Sequence, residues 1–305
     1  MTTSFKFNLR RGMLVTGKWK QNRYRVERLL GEGANGKVYL VQRDYAWYAM
    51  KIGADAVDLQ SEINVLQALA KQGKSGAEPF LFDVDDLGAN GREYPFYIMR
   101  YVRGVTLDDY LSQNGQEWFP LVGLNLLNKL AELHSKGWVF GDLKVDNVLV
   151  ADYGYVELVD YGGVTGVGKG IRQFTEIYDR GYWNAGSRSA DAKYDLFSYA
   201  VLCIQLVEPK RLQQLTAGLP QNRSPEDLLN LAMENPVLKP VSGWLNKALS
   251  GQFNNAAEGA DAWRMLMHRR DLHRSSATPG WLKGLVMASA IVLGVSVYWL
   301  LRSGL

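Results

Sequence analysis

A single cysteine, Cys203, in 305 residues rules out an intramolecular disulfide and any cysteine-based metal site, so a reducing compartment is the default. Within the apolar stretch 195–207 that thiol reads as a small buried hydrophobe. Histidine is almost as scarce. His134 ends a helical pattern and reads as structural, while His268 and His273 are too sparse for a metal site. The N-terminus, MTTSFKFNLRRGM, lacks an apolar core, so no cleavable secretory signal is expected. No internal repeat is seen. Neither sign of charge dominates, the net being +4, but the cations are unevenly placed.

The chain is 47% hydrophobic and 22% charged, which fits one large globular domain or two small lobes with a core that needs neither disulfides nor metals. Strand-like patterns occupy 24–30, 37–42 and 47–52, and 58–71 reads as a helix with Ile63, Leu66 and Leu69 near one face. Further strands are expected around 80–84 and 96–102, separated by the turn signal Asn90-Gly91. From Gly104 onward the pattern is mainly helical, as in 106–113 and 120–136, with short strands at 148–150 and 156–159. A small β-rich half followed by a larger α-rich half predicts an α+β protein with a cleft between two lobes.

Lys6, Arg10, Arg11, Lys18, Lys20, Arg23, Arg25 and Arg28 crowd the first thirty residues against Glu27 alone. Arg264, Arg269, Arg270, Arg274 and Lys283 form a second group, opposed by Asp271. Such clusters suit a polyanion, either DNA or anionic lipid, with solvated surface charge as the plain alternative. After a polar stretch at 269–280, residues 284–301 carry no charge. At about 1.5 Å per residue they would span ~27 Å, close to a bilayer's hydrocarbon core. Trp281 lies at one end and Tyr298 and Trp299 at the other, where interfacial aromatics belong, with Lys283 and Arg302 able to snorkel. The expected division is therefore a basic segment at 1–23, a globular domain at 24–268, a linker at 269–280 and a transmembrane helix at 281–302. The basic excess before that helix predicts a cytoplasmic domain. Small residues four apart, Gly284/Ala288 and Ala290/Gly294, are compatible with helix pairing into a dimer.

Three constellations carry chemistry. Gly31-Glu32-Gly33-Ala34-Asn35-Gly36-Lys37-Val38 is glycine-rich and is followed by strand rather than helix, which favours a hairpin folded over phosphates to a dinucleotide-binding turn. Lys51 ends the next strand behind Ala49, with Glu62 on the following helix as its best partner. The third is Trp138-Val-Phe-Gly-Asp142-Leu-Lys144-Val-Asp-Asn147, followed thirteen residues later by Asp160-Tyr161-Gly162. The bland reading of Asp142, Asn147 and Asp160 is turn and cap residues. Their order with Lys51 and the glycines argues against coincidence.

This ordered set resembles the Hanks-type protein kinases. The resemblance implies a bilobal kinase fold, an N-lobe at about 24–103 and a C-lobe at about 104–268. It implies ATP with Mg²⁺, or Mn²⁺, transferring phosphate to Ser or Thr of protein substrates. By position Asp142 matches the catalytic base, Lys144 the lysine that steadies the γ-phosphate, and Asn147 and Asp160 the metal ligands. Oxygen donors suit a hard cation. Met99 matches the gatekeeper, Tyr101 and Val102 the backbone that meets adenine, Val38 the side chain against its ring, and Asp195 the brace beneath the catalytic loop. Thr175 is expected beside Asp142 near the substrate. Together with Tyr178-Asp-Arg-Gly-Tyr-Trp183 and the C-terminal apolar helix, these motifs look like the YabT-type kinases of spore-forming bacilli over nearly the whole chain. That implies a role in sporulation at the cell membrane.

Departures from the pattern carry information. Phe140-Gly141 replaces the usual His-Arg, whose arginine normally grips a phosphate on the activation loop, so competence without that phosphate is expected. The A-P-E motif is absent, and Tyr182-Trp183-Asn184 occupies its place. A kinase-like enzyme acting on a small molecule or lipid, and a pseudokinase scaffold, stand as alternatives. The latter is disfavoured because Lys51, Asp142, Asn147 and Asp160 are all present.

Overall fold

The computed structural model describes residues 7–33, 36–53, 55–72, 80–89, 91–275 and 280–303, with side chains described in these ranges outside 269–283 and 303. The chain divides into a unit at 1–260 and a unit at 261–305.

The first half of the larger unit is an antiparallel sheet. Its strands are β1 (Leu14–Thr16), β2 (Arg23–Gly33), β3 (Gly36–Arg43), β4 (Ala46–Gly53), β5 (Leu81–Ala89) and β6 (Arg92–Arg100), in the order β1-β2-β3-β4-β6-β5. Helix α1 (Ala56–Lys71) connects β4 to β5 and is capped by the Asp55 carboxylate, which accepts from the Val57 amide. The period of two along the strands decides which residues face which neighbour. Met50, Ile52, Phe96 and Ile98 join Val26, Tyr39 and Val41 in one core, whereas Ala49, Tyr97 and Met99 face Leu59, Ile63 and Leu66 of α1. The β2–β3 hairpin closes at Gly33 and Gly36, and Gly36 has no substitute. Its φ is +150°, and a Cβ there would lie 2.2 Å from the Ile52 carbonyl oxygen. Ala34, Asn35 and the Asn90 turn position lie outside the described residues.

The basic N-terminal stretch is more structured than its charge suggests. Beyond β1, residues 17–22 strap across to β5 at the opposite edge of the sheet. The Trp19 and Lys20 amides donate to Asp85 at 2.9 and 2.8 Å, and Lys20 Nζ, Asn22 and Tyr24 all donate to the buried Asp83. Lys18 pairs with Glu93, and Arg11 pairs with Glu27. Arg11, Lys18 and Lys20 of the first basic cluster are thus neutralised within the fold. Arg23, Arg25 and Arg28 stay exposed on β2.

The second half begins with β7 (Val105–Thr106), α2 (Leu107–Asn114) and α3 (Phe119–Ser135). The short strands β8 (Trp138–Val139), β9 (Val148–Ala151), β10 (Tyr155–Leu158) and β11 (Thr165–Gly166) carry the loops of the cleft. Strands β10-β9-β7 form one small sheet and β11-β8 another. Helix α4 (Ala192–Val207) is buried at every position from Tyr194 to Ile204, including Cys203, which explains its nearly all-round apolar sequence. Helices α5 (Pro209–Thr216), α6 (Pro225–Glu234) and α7 (Ser242–Leu249) follow, α6 with a reciprocal Ser224–Asp227 capping box. A strand-rich first half followed by a larger helical half is the two-part α+β arrangement expected from the sequence.

Helix α8 (Ala256–Ser275) runs on through 269–275, the first part of the stretch expected as a linker. Nothing in Arg269–Ser275 breaks a helix, since the first Pro-Gly pair comes only at Pro279-Gly280. Residues 276–279 lie outside the described ones. Helix α9 (Gly280–Ser303) contains Gly284–Arg302, long and apolar enough to cross a bilayer and with none of its residues buried.

Candidate active site

Strand register assembles the first cluster. Lys51 on β4 lies opposite Val38 on β3 and Tyr97 on β6. Its Nζ donates to Glu62 Oε2 at 2.7 Å and to Asp160 Oδ1 at 2.8 Å. Glu62 is held from two further sides, by the Tyr97 hydroxyl at 2.8 Å and the Tyr161 amide at 3.0 Å. Tyr97 belongs to no motif in the sequence. Only pairing with β4 shows that its hydroxyl reaches the same carboxylate as Lys51.

Burial disfavours the Lys51 ammonium, but the facing carboxylates of Glu62 and Asp160 outweigh it and raise the group above its usual range. Asp160 moves the other way. Burial alone would push its carboxyl up, yet Lys51, the Gly162 amide and Lys144 bring it below the ordinary value. Asp160 has a left-handed backbone, φ +62°, that aims its carboxylate back at the lysine.

The second cluster sits on the loop between β8 and β9. Lys144 Nζ donates to Asp142 Oδ2 at 2.8 Å, and the Thr175 hydroxyl donates to Asp142 Oδ1 at 2.8 Å. Lys144 also approaches Thr175 Oγ1 at 3.4 Å. The Asn147 amide nitrogen donates to the Asp142 carbonyl at 2.9 Å, which leaves its side-chain oxygen as an acceptor.

Beneath this loop Asp195, fully buried at the start of α4, accepts from the Phe140 amide at 2.7 Å, the Gly141 amide at 2.9 Å and His134 Nε2 at 2.7 Å. Phe140 is fully buried and meets Tyr161 edge-on at 6.1 Å, so an apolar ring stands where the Hanks-type pattern it resembles has histidine. Asp195→Ala should strand two buried amide donors. A loss of about 3 kcal/mol in folding stability, read from the denaturant midpoint, is expected together with a fall in any phosphotransfer. An unchanged midpoint would show that the loop is held by other means.

Residues 163–191, where the kinase resemblance puts the activation segment, are locked by residues that the sequence showed only as charges inside an aromatic motif. Arg180 binds both Asp191 oxygens at 2.9 Å. Asp179, fully buried, accepts from Arg188 and from the Tyr194 hydroxyl. Trp183 is buried and donates from Nε1 to the Ile177 carbonyl. These contacts secure the region where A-P-E is missing. A further unforeseen group joins the lobes. Glu157 on β10 accepts from Arg100 at the end of β6 at 2.6 Å, from the Tyr155 hydroxyl at 2.9 Å and from Lys129 of α3 at 3.3 Å. Apart from Tyr155, its partners lie far from Glu157 in sequence, and none belongs to a motif.

A cavity of about 850 Å³ lies between the two clusters. Gly31, Glu32, Gly33, Gly36, Val38, Ala49, Lys51, Met99, Tyr101, Val102, Asp142, Lys144, Asn147, Asp160 and Thr175 all line it. Glu62 stands behind Lys51 and Asp195 under the loop, outside the lining. A larger hollow of about 960 Å³, lined by Trp47, Arg103, Trp118 and Tyr153 among others, contains none of the lysine–carboxylate contacts. Among the described residues no three His, Cys, Asp or Glu side chains form a metal cage. A hard cation could still be held by Asp160 and the Asn147 oxygen, provided that phosphate and water complete its shell. The donor set therefore fits Mg²⁺ arriving with a nucleotide.

Comparison with known proteins points the same way. The protein kinase domain family matches residues 24–242. The chain is 38% identical over 259 residues to the serine/threonine-protein kinase YabT of Bacillus subtilis (strain 168), covering 84% of this chain and 75% of that protein. It is 22% identical over 252 residues to the serine/threonine-protein kinase PrkC of the same organism, covering 75% of this chain and 39% of PrkC. Among solved structures, a point mutant of the Mycobacterium tuberculosis PknI kinase domain superposes with a TM-score of 0.58 at 20% identity, over 86% of this chain and all of that one. Vaccinia related kinase 3 superposes with a TM-score of 0.60 at 16% identity, over 90% of this chain and 94% of its own.

Proposed function

Since the chain belongs to the protein kinase family and is a serine/threonine protein kinase, we propose that it binds ATP with Mg²⁺ in the 850 Å³ cavity and phosphorylates proteins at a membrane surface. The observation that supports this best is the 2.8 Å contact of Lys51 Nζ with Asp160 Oδ1, made in the cavity that Asp142 and Asn147 also line.

In this reading the glycines at 31, 33 and 36 cover the phosphates. Val38, Ala49 and Met99 bound the adenine, and the backbone at Tyr101 and Val102 meets its edge. Lys51 turns from Asp160 toward the α- and β-phosphates while Glu62 keeps hold of it. Asp160 and Asn147 would hold the metal, which when bound would offset charge on the phosphates. Asp142 accepts the acceptor hydroxyl's proton as the Ser or Thr oxygen attacks the γ-phosphorus, the bond to the β,γ-bridging oxygen breaks and ADP leaves, and Lys144 balances the charge at the γ-phosphate. Thr175, hydrogen-bonded to Asp142, marks where the acceptor side chain enters.

Helix α9 fits a single-pass anchor, and the basic excess before it favours a cytoplasmic kinase domain. A sporulation role follows only from the YabT-type resemblance. Arg23, Arg25 and Arg28 remain exposed to meet a polyanion, DNA or anionic lipid.

The test is transfer of labelled phosphate from ATP to Ser and Thr of a protein mixture by the full chain with Mg²⁺. Labelling of lipid or small molecules alone would favour the other phosphotransferase reading, and no turnover of ATP would favour a scaffold.

A further inference from the structure

One contact between the activation segment and α1 has no part in the chemistry described so far. Arg172 Nη1 donates to the Ser61 hydroxyl, across 111 residues of sequence. Ser61 immediately precedes Glu62, so whatever fixes it also fixes the helix position that pairs Glu62 with Lys51. Arg172 is exposed, and among the described residues no acidic side chain is bonded to it. An exposed guanidinium whose described bond runs to a half-buried serine hydroxyl is under-used, because its planar fork suits two charged oxygens.

We propose that Ser61 is a phosphorylation site of this kinase and that its phosphate is received by Arg172, tying the activation segment to α1. The inference rests on the kinase reading above. The Ser61 oxygen would attack the γ-phosphorus of ATP, the bond to the β,γ-bridging oxygen would break, ADP would leave, and the serine proton would pass to the Asp142 carboxylate of the acting copy. A neutral hydroxyl contact then becomes a charge-assisted pair of N–H···O bonds.

The acids nearest in sequence on α1 are Asp58 and Glu62. Glu62 is already compensated by Lys51 and by the Tyr97 and Tyr161 donors, so Asp58 remains the main opposing charge. The activation segment's own threonines are less suited. Thr165 is buried with its hydroxyl on the Gly163 carbonyl, and Thr175 is bonded to Asp142. No arginine follows Phe140 to receive a phosphate on that segment, since the position is Gly141. Here the acceptor lies on the helix and the cation on the segment.

The experiment uses the full chain in detergent, first dephosphorylated, then incubated with ATP and Mg²⁺. Phosphopeptides are mapped, and initial rates are measured on an added protein substrate. Phosphate on Ser61 is expected, with a rate rise of about fivefold or more over the dephosphorylated chain. Ser61→Ala should show no rise over its own rate before incubation with ATP. Arg172→Met, phosphorylated by added wild-type chain to equal Ser61 occupancy, should also show no rise.

Transfer to the added protein with Ser61 left unmodified would overturn the inference and leave the kinase reading intact. The same rise in Ser61→Ala, or in Arg172→Met, would overturn it too. Failure of all protein phosphorylation would refute both.

Discussion

Asp142→Asn is expected to lower the rate of phosphate transfer to protein by about 10³-fold, with the KM for ATP nearly unchanged. An amide occupies the same space but cannot accept the proton of the attacking hydroxyl. Thr175 can still donate to the remaining side-chain oxygen, so the loop need not rearrange. The substituted NH₂ group faces Lys144, which now sits 2.8 Å from the carboxylate oxygen it replaces, and the Asn147 side-chain nitrogen at 3.4 Å, and these are the contacts expected to move. Asp142 lines the cavity, but Lys51, Val38 and Ala49 on its other wall are untouched by the substitution, which is why the loss falls on kcat rather than on ATP binding. Initial rates at varied ATP would check this. A variant keeping a tenth or more of the wild-type rate would remove Asp142 from the role of base.

Lys51→Met should reduce transfer by about 10²- to 10³-fold and should also destabilise the fold. The two effects have separate origins. The rate falls because the cation facing the phosphates is gone. Stability falls because Glu62, 3% exposed, and Asp160 are left as neighbouring acids without their shared cation. Breaking a buried pair from one side costs about 3–5 kcal/mol, and the low end applies because Glu62 can take up a proton instead.

Burial already pushes the Glu62 carboxyl up, and removing Lys51 removes the main opposing influence. A carboxyl raised in the folded state loses stability as pH rises past its unfolded value. The deficit of Lys51→Met should therefore shrink on acidification, as long as the rest of the fold survives. Adding Glu62→Gln should restore most of the stability at neutral pH and none of the activity. Denaturant midpoints at two pH values, for the single and double variants, measure this directly. Equal deficits in both variants would show that Glu62 is not the uncompensated charge.

Motif spacing named Lys51, Asp142, Lys144, Asn147 and Asp160 because each belongs to a short run in which neighbours along the chain are also neighbours in space. The same locality made the glycine hairpin and the apolar helix readable. Tyr97, Glu157, Arg172 and Arg180 were not readable in that way. Their partners are Glu62, Arg100 with Lys129, Ser61 and Asp191, and most of these pairings cross from one element to another through the fold. In the basic N-terminal stretch, likewise, the sequence does not say which cations are paired within the fold and which, as Arg23, Arg25 and Arg28, stay exposed. It is β5 that brings Asp83 and Asp85 against Lys20.

Taken alone, the order of residues determined the kinase fold, the cleft's chemical inventory and a C-terminal helix apolar enough for a bilayer. All three are recorded in local periodicity and in motifs a few residues long. The tertiary structure alone decided which charges are neutralised, what locks the activation segment without A-P-E, and that Arg172 rests on the helix bearing Glu62. Ion pairs and hydrogen bonds depend on distances of about 3 Å between side chains, and only packing brings residues a hundred positions apart that close.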